Sequence, residues 1–107
     1  MAAAPDFRFL FSRGRRVESP LFRLVWIKND RACSRFAFVA SRAVSKRAVI
    51  RNGLRRRARE WYRKQGEFFR APLDLAIIFK KEAVGATRTV LYEELTRTAT
   101  SLPQRNL

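Results

Sequence analysis

The chain has 107 residues, enough for one small domain, and 47% of them are hydrophobic, including nine Phe and two Trp, so a core can form and a disordered basic tail is excluded. Twenty-four Lys and Arg against nine Asp and Glu leave a formal charge of +15, which implies an anionic partner, with nucleic acid ahead of an anionic membrane surface. Histidine is absent and Cys33 is the lone cysteine, which removes the commonest general base, the commonest metal ligand, an internal disulfide and a Cys-rich zinc site.

The opening M-A-A-A-P-D-F-R lacks a basic segment followed by an apolar run, so no secretory signal is expected. No apolar stretch approaches the ~18 residues of a membrane span. A reducing, cytoplasmic setting is expected, with one domain over residues 1–107, a short lead at 1–5 and a frayed tail at 103–107.

In chain order, Pro5 and Asp6 read as a helix start, and Phe7, Leu10 and Phe11 follow at helical spacing up to a stop at Gly14. Arg15 to Glu18 reads as a short strand broken by Ser19-Pro20. Leu21 to Lys28 is a strand with Phe22, Leu24 and Trp26 on one face and Arg23, Val25 and Ile27 on the other. Asn29-Asp30 signals a turn, and Arg35 to Ser41 is the next strand, expected to pair with the previous one as an antiparallel hairpin.

A basic loop with Lys46 and Arg47 then leads into a helix expected from Ala48 to about Phe69. Ile50, Leu54, Ala58, Trp61 and Phe68 trace its apolar stripe, and Gly53 within it costs ~1 kcal/mol against Ala and leaves room for close approach of another backbone. Pro72 ends the element. The unbroken apolar run of Leu73 to Lys80 reads as a buried central strand. Thr87 caps a last helix to Leu102, with Val90, Leu91, Leu95 and Ala99 facing inward. Helices packed on one mixed sheet make this an α+β two-layer domain, in the order α-β-β-β-α-β-α.

The chemistry is concentrated in one place. Arg42 to Lys64 holds ten Lys or Arg in 23 positions and one acid, Glu60, at the spacing of a helix pair with Arg56 and Lys64. Arginine matches phosphate with a planar fork. Among those cations Asn52 supplies a donor and an acceptor, suited to a sugar hydroxyl or base edge, or equally to a plain surface position on the helix or a bond with the preceding loop. A second candidate surface is aromatic: Phe7, Phe11, Phe22, Trp26, Phe36 and Phe38 are mostly expected in the core. Any exposed member beside Arg8, Arg23 or Arg35 would form a stacking platform for single-stranded nucleic acid. No carboxylate pair, nucleophile turn, phosphate-binding glycine loop or metal-ligand spacing is present, so no catalytic and no metal-binding residue is assigned.

The segment V-A-S-R-A-V-S-K-R-A-V-I-R-N-G-L-R-R-R-A-R-E, residues 39 to 60, resembles the protein subunit of bacterial ribonuclease P. The D-F-x-x-x-F-x-x-G-x-R opening from Asp6 to Arg16 and the D-L-A-I-I-F strand from Asp74 to Phe79 support it, and the likeness runs from about Asp6 to Leu102. The resemblance implies a left-handed βαβ crossover, like that in the second domain of a small-subunit ribosomal protein. It implies a holoenzyme of one catalytic RNA plus one protein that removes the 5′ leader of precursor tRNA, with catalysis by Mg2+ on the RNA and no cofactor on the protein.

By match, Lys46, Arg47, Arg51, Asn52, Arg55, Arg56 and Arg59 would face the catalytic RNA. Phe7, Phe11, Arg23 and Val25 would line a leader cleft between the first helix, the sheet and the arginine helix. Three positions depart from the family pattern: Gly53 replaces a usual arginine, Val25 a common aromatic, and Ala43 a usual lysine. The rival readings are a structural or ribosomal-type RNA-binding protein and a DNA-binding protein, which would need a helix free to enter a major groove.

Overall fold

A computed structural model describes residues 7–31, 34–64 and 72–102. The elements are α1 (Phe7–Arg13), β1 (Arg15–Glu18), β2 (Phe22–Lys28), β3 (Arg35–Val39), α2 (Ala48–Lys64), β4 (Leu73–Phe79), a 3-10 turn (Lys81–Gly85) that sequence reasoning missed, and α3 (Arg88–Ala99). Pro5, Asp6, Cys33 and Phe68, and the part of the arginine helix expected beyond Lys64, lie outside the described residues.

The strands form one mixed sheet in the order β1-β2-β4-β3. The hairpin expected between β2 and β3 does not form. β4 pairs antiparallel with β2 and parallel with β3, and so lies between them. The reason is hydropathy: Leu73 to Phe79 is buried on both faces except at Ile78, and such a strand needs a neighbour on each edge. Asn29 helps carry the chain across. Its side-chain oxygen accepts from the Arg31 N–H at 2.9 Å, and its own N–H donates to Pro72 O at 3.0 Å. The actual hairpin is β1–β2, turned at Ser19-Pro20, where Ser19 Oγ accepts from the Leu21 N–H at 3.1 Å. A parallel β3–β4 pair requires a crossover, and α2 supplies it.

The two faces of the sheet carry two separate cores. Phe22, Leu24 and Trp26 pack with Leu75, Ile77 and Phe79 against Leu54, Ala58 and Trp61 of α2 and Leu91, Leu95 and Ala99 of α3. Trp61 Nε1 donates to Thr96 Oγ1 at 3.1 Å and ties the two helices together. Thr87 caps α3 as expected, its hydroxyl accepting from Val90 N at 3.2 Å. Val90, expected inward, is 44% exposed, because the stripe through Leu91, Leu95 and Thr98 sets the buried side of the helix and Val90 lies beside it.

On the other face, Leu10 of α1 presses onto Val25 and Ala76. Gly14 is needed for this approach. Its N–H donates to Leu10 O at 2.7 Å, and a Cβ there would strike Leu10 O and lie 2.7 Å from Val25 Cγ1. Gly53 has no such role, since a Cβ there would meet nothing within 4 Å.

Candidate nucleic-acid interface

α2 exists because its apolar residues recur at helical spacing over the sheet; the same period places the cations on its flanks and outer side. Leu54, Ala58 and Trp61 are buried, while Asn52, Arg56 and Arg59 are exposed and Arg51 and Arg55 half-buried. Lys46 and Arg47 are exposed in the loop before the helix.

Two of these residues hold the others. Arg51 donates to Ser45 O at 2.9 Å and to Lys46 O at 3.0 Å, so its guanidinium fixes the loop that presents Lys46 and Arg47. The bond to the preceding loop considered for Asn52 is thus made by Arg51. Asn52 Oδ1 instead accepts from Arg55 at 3.0 Å and orients that arginine.

The ion pairs expected from Glu60 to Arg56 and Lys64 are absent among the described residues. Lys64 extends instead over the Tyr92 ring, 6.0 Å from its centroid. The outer surface of α2 therefore keeps its positive charge unneutralised.

The register shows what the second sheet face displays. Arg16 and Glu18 of β1, Arg23, Val25 and Ile27 of β2, Asp74, Ala76 and Ile78 of β4, and Arg35, Ala37 and Val39 of β3 share it. Phe7 and Phe11 stand over this face on α1, both 38% exposed, with ring centroids 5.7 Å apart. Phe22 and Trp26 belong to the main core, and Phe36 and Phe38 pack against it half-buried.

Arg23 is exposed but pairs with Glu18, its partner in the β1–β2 ladder. Glu18 also accepts from Lys80 at 2.8 Å, and these two cations, Lys80 foremost, hold its carboxyl below the usual range. Val25 is 1% exposed beneath Leu10, so it forms the floor under α1 and reaches no ligand. The single cleft expected between α1, the sheet and α2 is also corrected. α1 and α2 pack on opposite faces of the sheet, so the sheet separates the aromatic surface from the arginine surface.

The family model described as Ribonuclease P matches residues 1–102. The chain belongs to the ribonuclease P protein family. It is 34% identical over 77 residues to the ribonuclease P protein component of Desulfatibacillum aliphaticivorans, a match covering 72% of this chain and 64% of that one. It is 28% identical over 101 residues to that of Coxiella burnetii, covering 94% and 83%. The fold matches the ribonuclease P protein of Thermotoga maritima with a TM-score of 0.82 at 24% identity, covering 92% of each chain. It matches that of Staphylococcus aureus with a TM-score of 0.84 at 19% identity, covering 99% and 96%.

Two features of the chain escaped sequence reasoning. One is the Arg35–Asp74 ion pair, whose partners are 39 residues apart and meet only through the parallel pairing. The other is a group of cations around Trp26, formed by Arg13, Arg15 and Lys28. Its only sequence signal was the basic residues that bracket the first turn and close β2.

Proposed function

We propose that the chain is the RNA-binding subunit that assists a catalytic RNA in removing the 5′ leader of precursor tRNA. The outer surface of α2 and its leading loop bind the catalytic RNA through Lys46, Arg47, Arg55, Arg56 and Arg59, with Arg51 and Asn52 holding loop and arginine in register. The leader lies on the second sheet face beside Phe7, Phe11 and Arg23, over the floor that Val25 supports. One RNA and one protein make the working unit, in the cytoplasm. Among the described residues no helix is long and apolar enough to cross a membrane.

The observation that carries this reading is the unneutralised arginine face of α2 on a rigid, sheet-packed helix in a chain of this family. A helix anchored by Leu54, Ala58 and Trp61 has its buried side committed, so it presents charge at fixed spacing to a polyphosphate and does not enter a duplex groove freely. Magnesium belongs on the RNA in this reading. Among the described residues no three acidic, cysteine or histidine side chains come together.

The test is cleavage of precursor tRNA at low magnesium with a bacterial ribonuclease P RNA, with and without the protein, and with the protein alone. Correct 5′-end formation is expected only when RNA and protein are both present. Tight RNA binding without stimulation, using RNAs of more than one structural class, would move the assignment to a structural RNA-binding protein.

A further inference from the structure

α1 divides the second face of the sheet in two. With Leu10 pointing down onto Val25 and Ala76, a rotation of about 100° per residue puts Phe7 and Phe11 on one flank and Phe9 and Arg13 on the other. The Phe9 flank opens on the end of the sheet where β2 finishes. Two recesses adjoin there and share Ile27 and Lys28. One, of about 460 Å3, wraps the end of the sheet: Arg13 walls it from α1, and Arg15 and Trp26 wall it from strand positions that alternate to the first face. The other, of about 550 Å3, is bounded by Phe9 and ends at Arg35 and Asp74. Each is large enough for a nucleobase.

The electrostatics of this groove favour an anion. Arg13, Arg15, Lys28 and Arg31 form no ion pair among the described residues. Asp74 is already neutralised by Arg35, which leaves Asp30 as the remaining carboxylate. Both aromatic rings are braced by arginines: Arg13 lies 5.7 Å from the centroid of Phe9, and Arg15 lies 5.9 Å from that of Trp26. Phe9 is 46% exposed, more than Phe7 or Phe11. Phosphates alone need only the cations. A solvent-facing phenyl ring beside them is suited to stacking an unpaired base.

The groove is also remote from α2's leading loop. Lys28 pairs with Leu73 at one end of β4, whereas Val39, from which the chain runs to that loop, pairs with Ile78 near the other, roughly 17 Å away at strand rise.

We infer that this groove is a second RNA-binding site for an unpaired segment, with backbone phosphates on Arg13, Arg15 and Lys28 and a base stacked on Phe9. The inference takes from the reading above only that the ligand is RNA, and the test omits any ribonuclease P RNA so that the two stand or fall separately.

The full chain is titrated with a fluorescent decameric oligouridylate across a salt series. The Arg15→Ala/Lys28→Ala double variant is expected to lower the salt slope by about 1.4, from ~0.7 per neutralised phosphate on a single strand. Phe9→Ala is expected to weaken binding about tenfold, with the slope kept. A charge-matched control, Lys81→Ala/Arg88→Ala, removes two exposed cations elsewhere and should leave the slope nearly intact. Equal loss in both double variants would reduce the effect to net charge and overturn the site, as would unchanged binding in the first. Equal Phe9 dependence with a duplex RNA of the same length would overturn the assignment to unpaired RNA.

Discussion

Arg35 and Asp74 face one another across the parallel β3–β4 ladder and are joined by a two-pronged ion pair, Nε to Oδ1 at 2.8 Å and a second guanidinium nitrogen to Oδ2. Both side chains are largely buried, and Asn29 Nδ2 adds a third bond to Oδ1 at 2.8 Å. The pair ties the edge strand to the central strand where no hairpin turn connects them. Arg35→Ala leaves a buried carboxylate without its counter-ion and should cost about 3 kcal/mol in chemical denaturation.

The same carboxylate sets a pH dependence. The Arg35 hydrogen bonds, helped by Asn29 and opposed by burial, hold the Asp74 carboxyl below its ordinary value. A carboxyl depressed in the folded state contributes stability above its unfolded value, near pH 4, and loses it as pH falls towards the folded one. Denaturation midpoints should therefore fall below about pH 4 in the parent, and Asp74→Asn should flatten that part of the profile.

Gly14→Ala tests the seating of α1. The new methyl would strike Leu10 O, a backbone atom that cannot swing aside, and crowd Val25. A destabilisation of about 1–3 kcal/mol is expected, together with weaker discrimination between precursor and mature tRNA as Phe7 and Phe11 shift.

Gly53→Arg should act in the opposite direction. The space around Gly53 is open, a helix-interior glycine costs ~1 kcal/mol, and the new cation would join the α2 surface. A higher melting temperature and tighter binding to ribonuclease P RNA are expected, with the salt slope steeper by roughly 0.7–0.9 if one phosphate is gained.

Arg55→Ala/Arg56→Ala should weaken binding to the catalytic RNA and lower the salt slope by about one unit for each phosphate no longer neutralised. Arg51→Ala should behave differently. It frees the loop that Ser45 O and Lys46 O anchor, so hydrogen exchange at residues 45–47 should accelerate in the free protein, whereas the double variant leaves it unchanged.

Phe11→Ala removes a ring that is 38% exposed, so stability should change little. Affinity for precursor tRNA in the holoenzyme should fall, with mature tRNA unaffected. Equal loss for both would remove the ring from the leader surface.

The amino-acid sequence by itself determined the class of domain, its strands and helices and the arginine helix, because each is a local pattern. Alternation marks β2, a helical repeat marks α2, and the run of Arg and Asn after Lys46 marks the family. Tertiary structure decided which strands are neighbours. β4 competes for the inner edges of both β2 and β3, and its burial on two faces outweighs the turn signal at Asn29-Asp30. It also decided which residues a ligand can reach. Val25 and Arg23 alternate to the same face in the sequence, yet Leu10 covers one and Glu18 pairs with the other. Arg51 and Arg55 look alike in the motif, and only the path of the loop makes one a brace and leaves the other a cation steadied by Asn52. Local periodicity is written in neighbouring residues, whereas the coverage of a side chain depends on an element that arrives from far along the chain.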